Sequence, residues 1–270
     1  FPYTTLFRSG LVSGALGGCK KRLPPPPEPM EEDALLSAMR ARPSLDPAQA
    51  RFSIKLSSKP LNITAPPLGG GLIVDRPGKA WIAVMSPVGG PVFTVASDGD
   101  RVAVVNAHDR QFVQAEDASG SLLSVTGGTI QLDDVVGLLL GLVPIEQERV
   151  RSRVAVEGGV QFVADGPAGT VLTALVEEAW ATPVRIEVAS GEGTALVTAS
   201  YEPFLEQDGV RVPSRVTLYV PSVDLTADVR FKTWTSPETL PDVFAPTPPE
   251  GFEVMTFEEY GARMRERQRR

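Results

Sequence analysis

Hydrophobic positions along the chain follow two rhythms, and the changes between them predict the elements. Over residues 31–42, Leu35, Leu36 and Met39 share one helical face. Acids fill the first turn of this stretch, arginines the last, and Pro43 closes it, as in an amphipathic helix. From residue 50 to 64, and again from 71 to 113, short runs of Val, Ile and Phe are cut by turn-forming sequences at 76–79, 86–91 and 97–100, which predicts antiparallel hairpins. Residues 132–142, Leu-Asp-Asp-Val-Val-Gly-Leu-Leu-Leu-Gly-Leu, predict a second helix, started by acids, ended before Pro144 and apolar on nearly every side, so it should be buried.

Strands return at 184–189, 195–204, 210–220 and 225–235. The alternation there puts Val216, Leu218, Val220, Val229 and Phe231 on one face and Arg215, Thr217, Arg230 and Lys232 on the other. The second face should be wet. Strands divided by a helix, with no strand-helix-strand rhythm, predict a mainly β chain with helices (α+β), built as a single curled antiparallel sheet lidded by a few helices.

Charge and composition narrow the function. With 26 Lys plus Arg against 33 Asp plus Glu, the net charge is −7, which excludes a body built to bind nucleic acid. One His and one Cys remove most metal sites, any intrachain disulfide, and every Ser-His-Asp or Cys-His nucleophile that does not use His108. His108 lies in a polar hairpin edge and is expected to be solvated. Asp133 and Asp134 are adjacent, so they point apart, and first-turn acids need no catalytic explanation. Gly69–Gly71 lacks the helix and Lys of a phosphate loop and reads as a flexible connector. The chain is expected not to be an enzyme. No apolar run approaches the roughly 18 residues of a membrane-spanning helix.

The N-terminal segment carries separate signals. Residues 1–9 read as the in-frame translation of a sequencing-adapter oligonucleotide and are taken as an artefact. Residues 10–18 read as the remnant of a lipoprotein signal peptide, because Leu16-Gly17-Gly18-Cys19 fits a lipobox, in which the Cys thiol receives diacylglycerol. The only cofactor expected is this covalent acyl lipid (diacylglycerol and palmitate) on Cys19. Residues 19–30 form a Pro-rich tether behind Lys20, Lys21 and Arg22, and Lys20 in place of Asp after the Cys favours the outer membrane. Residues 31–256 are read as the folded domain and 257–270 as a basic helix or tail.

The order of elements resembles the outer-membrane lipoprotein carrier and receptor family (LolA and LolB). The resemblance rests on Gly71-Leu-Ile-Val-Asp-Arg-Pro-Gly-Lys-Ala-Trp81, Ser86-Pro-Val-Gly-Gly-Pro-Val-Phe-Thr-Val-Ala-Ser-Asp-Gly99, Leu138-Leu-Leu-Gly-Leu142, Gly209-Val-Arg-Val-Pro213, Val243-Phe-Ala-Pro246 and Pro249-Glu-Gly-Phe252. It implies an unclosed β-barrel whose concave side is an apolar cavity for lipoprotein acyl chains. Trp81, Met85, Phe93, Val95, Leu138, Leu142, Val216, Leu218 and Phe231 would line it if the sheet opens away from its helices, and are core otherwise. In the receptor branch a Pro-apolar-Gly loop enters the membrane, and Pro87-Val88-Gly89 matches it with a smaller apolar residue. Implied partners are lipoprotein acyl chains, membrane lipid and a soluble periplasmic lipoprotein carrier, with the protein a monomer on the periplasmic face of the outer membrane. The competing reading is an envelope sensor or structural lipoprotein of similar fold that binds a protein partner or another lipid.

Overall fold

The structure, a computed structural model, describes Met30 and residues 32–42, 44–60, 63–64, 66–115, 131–143, 145, 149–166 and 169–268. The adapter-like residues 1–9, the lipobox with Cys19, the proline tether, Pro43, Pro144, Arg269 and Arg270 lie outside the described residues. No helix among the described residues is long and apolar enough to cross a membrane.

Helix α1 (Glu32–Ala41) is followed by β1 (Ala48–Ser58), the two-residue β2 (Ile63–Thr64), β3 (Leu68–Asp75), β4 (Lys79–Met85), β5 (Pro91–Asp98), β6 (Val102–Asn106) and β7 (Gln111–Ala115). Helix α2 (Leu132–Leu140) precedes β8 (Val150–Val156), β9 (Gly159–Asp165), β10 (Val171–Glu177), β11 (Thr182–Ala189) and β12 (Ala195–Tyr201). The chain ends with β13 (Phe204–Gln207), β14 (Val210–Pro213), β15 (Arg215–Val220), β16 (Leu225–Thr235), β17 (Glu253–Thr256) and α3 (Phe257–Gln268). Strands β8 to β10 occupy a stretch in which the sequence pattern names no element. The run expected at 210–220 breaks at Ser214, because β14 turns aside to pair with β13 in a separate hairpin.

One large sheet runs β17-β7-β6-β5-β4-β3-β1-β16-β15-β12-β11-β10-β9-β8, and its two end strands do not meet. It is the expected unclosed sheet, antiparallel at every pairing except β17 with β7, which are parallel. The register of β1 against β16 joins the N-terminal hairpins to the C-terminal ones. Helices α1 and α2 lie on one face. Leu35, Leu36 and Met39 of α1 pack with Leu138 of α2 onto Val160, Phe162, Leu172, Ile186 and Val216. Val136, Leu139 and Leu140 of α2 pack with Phe52, Leu72, Val102, Val229 and Trp234. Helix α2 thus bridges both halves of the sheet, which explains an apolar surface too broad for a one-sided amphipathic helix.

The glycines at 69–71 are not a connector. They lie within β3, hydrogen-bonded to β1 and β4 on either side. A Cβ on Gly70 would strike the Phe52 ring and come within 2.8 Å of the Ala83 carbonyl oxygen, and one on Gly71 would come within 3.0 Å of the Trp81 ring. Two aromatic rings therefore lie across a strand that has no side chains to hold them off. The outer face over β5–β7 is also covered: Phe244, Ala245 and Pro246, on the connection from β16 to β17, share a small cleft with Ala103, Phe112 and Gln114.

A candidate lipid-binding face open at one rim

Directly paired residues of neighbouring strands share a face. The ladder Ala50–Leu72–Ile82–Val95–Val104–Val113 therefore follows the helix-bearing inner face across six strands. The pairings also place the strand ends. The end of β1, the start of β3 and the turns at 86–90, 107–110 and 221–224 gather at one rim, and the turns at 76–78, 99–101, 178–181 and 202–214 at the other.

On β1, β3, β4, β5 and β15 the apolar residues of the inner face lose burial toward the first rim, whereas Ser58 of β1, Gln111 of β7, Ala164 of β9 and Leu172 of β10 stay buried at that end. On β1, Ala48, Ala50 and Phe52 are buried and Ile54 and Leu56 half-buried; on β3, Val74 and Leu72 are buried and Leu68 half-buried. On β4, Ala80 is buried and Ile82 and Val84 half-buried; on β5, Val95 is half-buried and Phe93, at the rim, is 39% exposed. Val216 on β15 is buried, whereas Leu218 and Val220 are half-buried. The face packs against α2 in its lower part and over β1, β3–β5 and β15 is thus left as a partly covered apolar mouth at its upper end. The floor of the mouth is aromatic: Phe231 stands edge-on to Phe52 at 6.1 Å and tilts against Trp234 at 4.4 Å, and the Trp234 indole donates to the Pro213 carbonyl at 3.1 Å.

The β4–β5 turn projects from this rim. The Gly89 N–H donates to the Ser86 carbonyl at 3.1 Å and the Ser86 N–H to the Gly90 carbonyl at 2.8 Å, with Pro87 and Val88 between. Gly89 and Gly90 both hold positive φ, 98° and 78°, which the tight return requires. Val88 stands at the tip, 95% exposed.

The residues named from sequence divide between the two faces. Phe93, Val95, Leu218 and Phe231 line the open part of the inner face; Leu142 is half-buried against the same cluster, and Leu138 of α2 is buried against the sheet with Val216 beneath the helices. Trp81 and Met85 point the other way, since Trp81 pairs with Ile73 and Met85 with Gly69, positions of β3 that alternate with the inward Leu72. Ala80–Met85 is apolar at every position because both faces are covered, so periodicity had no power to choose. Ile54, Leu56, Leu68, Ile82 and Val84 were not singled out from sequence. The alternation Phe52-Ser-Ile-Lys-Leu56 carries the signal for two of them.

Two polar side chains hold α2, which has no basic residue in its own last turn. Arg42, just past α1, donates through Nη2 to the carbonyl of Gly141, and the Tyr201 hydroxyl donates to the Leu138 carbonyl at 2.8 Å. Burial pushes the Arg42 pKa down to about 10, partly offset by Tyr201, and burial raises that of the Tyr201 hydroxyl. At the other end of α2 the Gln131 N–H donates to Asp134 at 2.9 Å, and Asp133 is exposed. His108 is exposed, and no group of three His, Cys, Asp or Glu among the described residues could hold a metal ion.

No protein-family model matches the chain, and no curated protein matches its sequence. Solved structures do match in fold. A LolA superfamily protein from Nitrosomonas europaea is 13% identical with a TM-score of 0.53, over 80% of this chain and 98% of that one. A putative outer membrane lipoprotein-sorting protein domain from Vibrio parahaemolyticus is 12% identical with a TM-score of 0.52, over 77% of this chain and 93% of that one. A DUF1329 family protein from Desulfovibrio piger is 9% identical with a TM-score of 0.55, over 78% of this chain and 93% of that one. The unclosed sheet wrapped around its helices is thus a LolA/LolB-like fold, the one to which the order of sequence motifs points.

Proposed function

We propose that this protein is a lipid-anchored periplasmic binding protein, not an enzyme, that takes lipoprotein acyl chains on its inner face and helps place them in the outer membrane. The observation that carries this reading is the loss of apolar burial on β1, β3–β5 and β15 toward the Val88 rim. Half-buried Ile54, Leu56, Ile82, Val84, Val95 and Leu218 remain where a soluble fold gains by covering apolar area, at about 25 cal/mol per Å². An acyl chain laid over them supplies that cover. Val88, with no packing of its own, sits where a chain leaving the mouth would meet a bilayer. The description of the Vibrio neighbour as a putative lipoprotein-sorting domain agrees with this reading. Membrane attachment through Cys19, with the Pro-rich tether as spacer, completes the proposal.

The test is mass spectrometry of lipids and lipoproteins that co-purify with the full chain from an envelope fraction. Acylated species in stoichiometric amount are expected. Recovery of the folded chain free of acylated species would refute the proposal.

A further inference from the structure

We propose that Arg42 and Arg211 form a binding site for a phosphate group at the rim opposite Val88. Arg42 uses only Nη2 within the protein; its Nε and Nη1 are buried and have no hydrogen-bond partner. Unmade hydrogen bonds of a buried guanidinium are costly, and buried donors of this kind are rare in folded proteins. Arg42 lies over the Phe204 ring at 5.0 Å, and Arg211 over the Trp180 ring at 3.6 Å. Phe204 and Arg211 belong to the two strands of the β13–β14 hairpin and share a face of it, through the pairs Phe204–Pro213 and Glu206–Arg211. The hairpin therefore puts Arg211 on the same face as the Phe204 ring that Arg42 covers.

Two cations held together by aromatic faces repel each other unless an anion joins them. No ion pair among the described residues takes up either one: Glu206 stands opposite Arg211 in register, yet the two form no salt bridge. Arg42 has two unpartnered nitrogens, Nε and Nη1, and Arg211 a whole fork, a donor set suited to an oxyanion that accepts from several directions. Contact with the two rings holds the guanidinium groups beforehand, which reduces the ordering cost of binding. Arg211 is half-exposed, so a ligand enters from its side. The site lies at the closed end of the inner face, away from the apolar mouth, and does not require acyl-chain binding there.

Phosphate can come from the free ion or from a lipid headgroup, and titration of the full chain separates the two. The probes are inorganic phosphate and monomeric dihexanoyl phosphatidylglycerol, each against chloride at matched ionic strength, read by thermal melting and by ³¹P line broadening. Saturable binding is expected, weakened about tenfold by Arg211→Gln. Binding of both probes identifies phosphate alone as the determinant; binding of the lipid only adds the glycerol and acyl portions. Should the Gln variant fail to fold, Arg211→Lys keeps the charge and removes the fork, and it too should weaken binding. Absence of saturable binding by either probe, or binding indifferent to both Arg211 variants, would overturn the site.

Discussion

Replacing Gly70 by Ala adds one methyl group at the point where β3 passes beneath the Phe52 ring. The new Cβ would overlap ring atoms of Phe52 and stand 2.8 Å from the Ala83 carbonyl oxygen. Phe52 is only 4% exposed and is held by Phe231, so the ring has no free space to swing into. Overpacking of this kind costs ~1–3 kcal/mol, while Gly to Ala returns ~0.4–1 kcal/mol by restricting the unfolded chain. The net loss is about 1–2 kcal/mol, a fall in Tm of roughly 2–8 °C for a chain of this size. The assay is thermal melting of four proteins: parent, Gly70→Ala, Phe52→Leu and the double variant. Because Phe52→Leu withdraws the ring, the Ala substitution should cost about 1 kcal/mol less in that background. Equal cost in both backgrounds, or a gain in Tm for Gly70→Ala, would refute the slot for the ring.

Three further predictions concern the tip, the anchor and the outer face. Val88→Glu should leave the Tm of this 95%-exposed position nearly unchanged, yet reduce transfer of a bound lipoprotein to liposomes, since a carboxylate in the acyl region costs several kcal/mol; normal transfer would remove the loop from the mechanism. Cys19→Ala should release the folded protein to the soluble fraction, and membrane retention in fractionation would contradict the anchor. Asp228 takes the Arg215 fork at 2.6 and 2.8 Å, and these hydrogen bonds foremost hold its pKa below the usual carboxylate range. A depressed folded-state pKa gives stability that is present above the unfolded value of about 4 and lost as pH falls through the folded one. Asp228→Asn should therefore lower Tm at neutral pH and flatten its decline in acid, and an unchanged acid limb in melts across that range would count against the pair.

Much of the fold was legible because hairpin turns and alternation are local signals. Arg76–Lys79, Ser86–Pro91 and Ser97–Asp100 all turn where their residues indicated, and the 216/218/229/231 face points inward as its alternation indicated. The misread parts depend on what lies across from them. Gly69–Gly71 looked flexible because the rings that need those glycines, Phe52 and Trp81, belong to β1 and β4. Leu172–Val176 is nearly continuous in apolar residues, a pattern that does not separate strand from helix. The parallel pairing of β17 follows a 17-residue connection across the outer face, 236–252, which no local pattern announces. Of the site, the exposed tip could be read from Pro87-Val-Gly89, whereas Arg42 and Tyr201 carried no signal, since their partners are main-chain carbonyls of α2.

In the proposed function acyl chains enter the inner face at the Val88 rim. This entry is tested most directly by titrating a fluorescent diacylated peptide into Phe93→Asp and Val154→Asp. The two sites are comparably exposed, 39% and 52%, but Phe93 lies on the inner face at the mouth and Val154 on the opposite face of edge strand β8. Phe93→Asp should weaken binding about tenfold or more, through lost apolar contact and a charge set against the chain, while Val154→Asp should bind like the parent. Undiminished binding by Phe93→Asp, or an equal loss in both variants, would contradict entry at this rim.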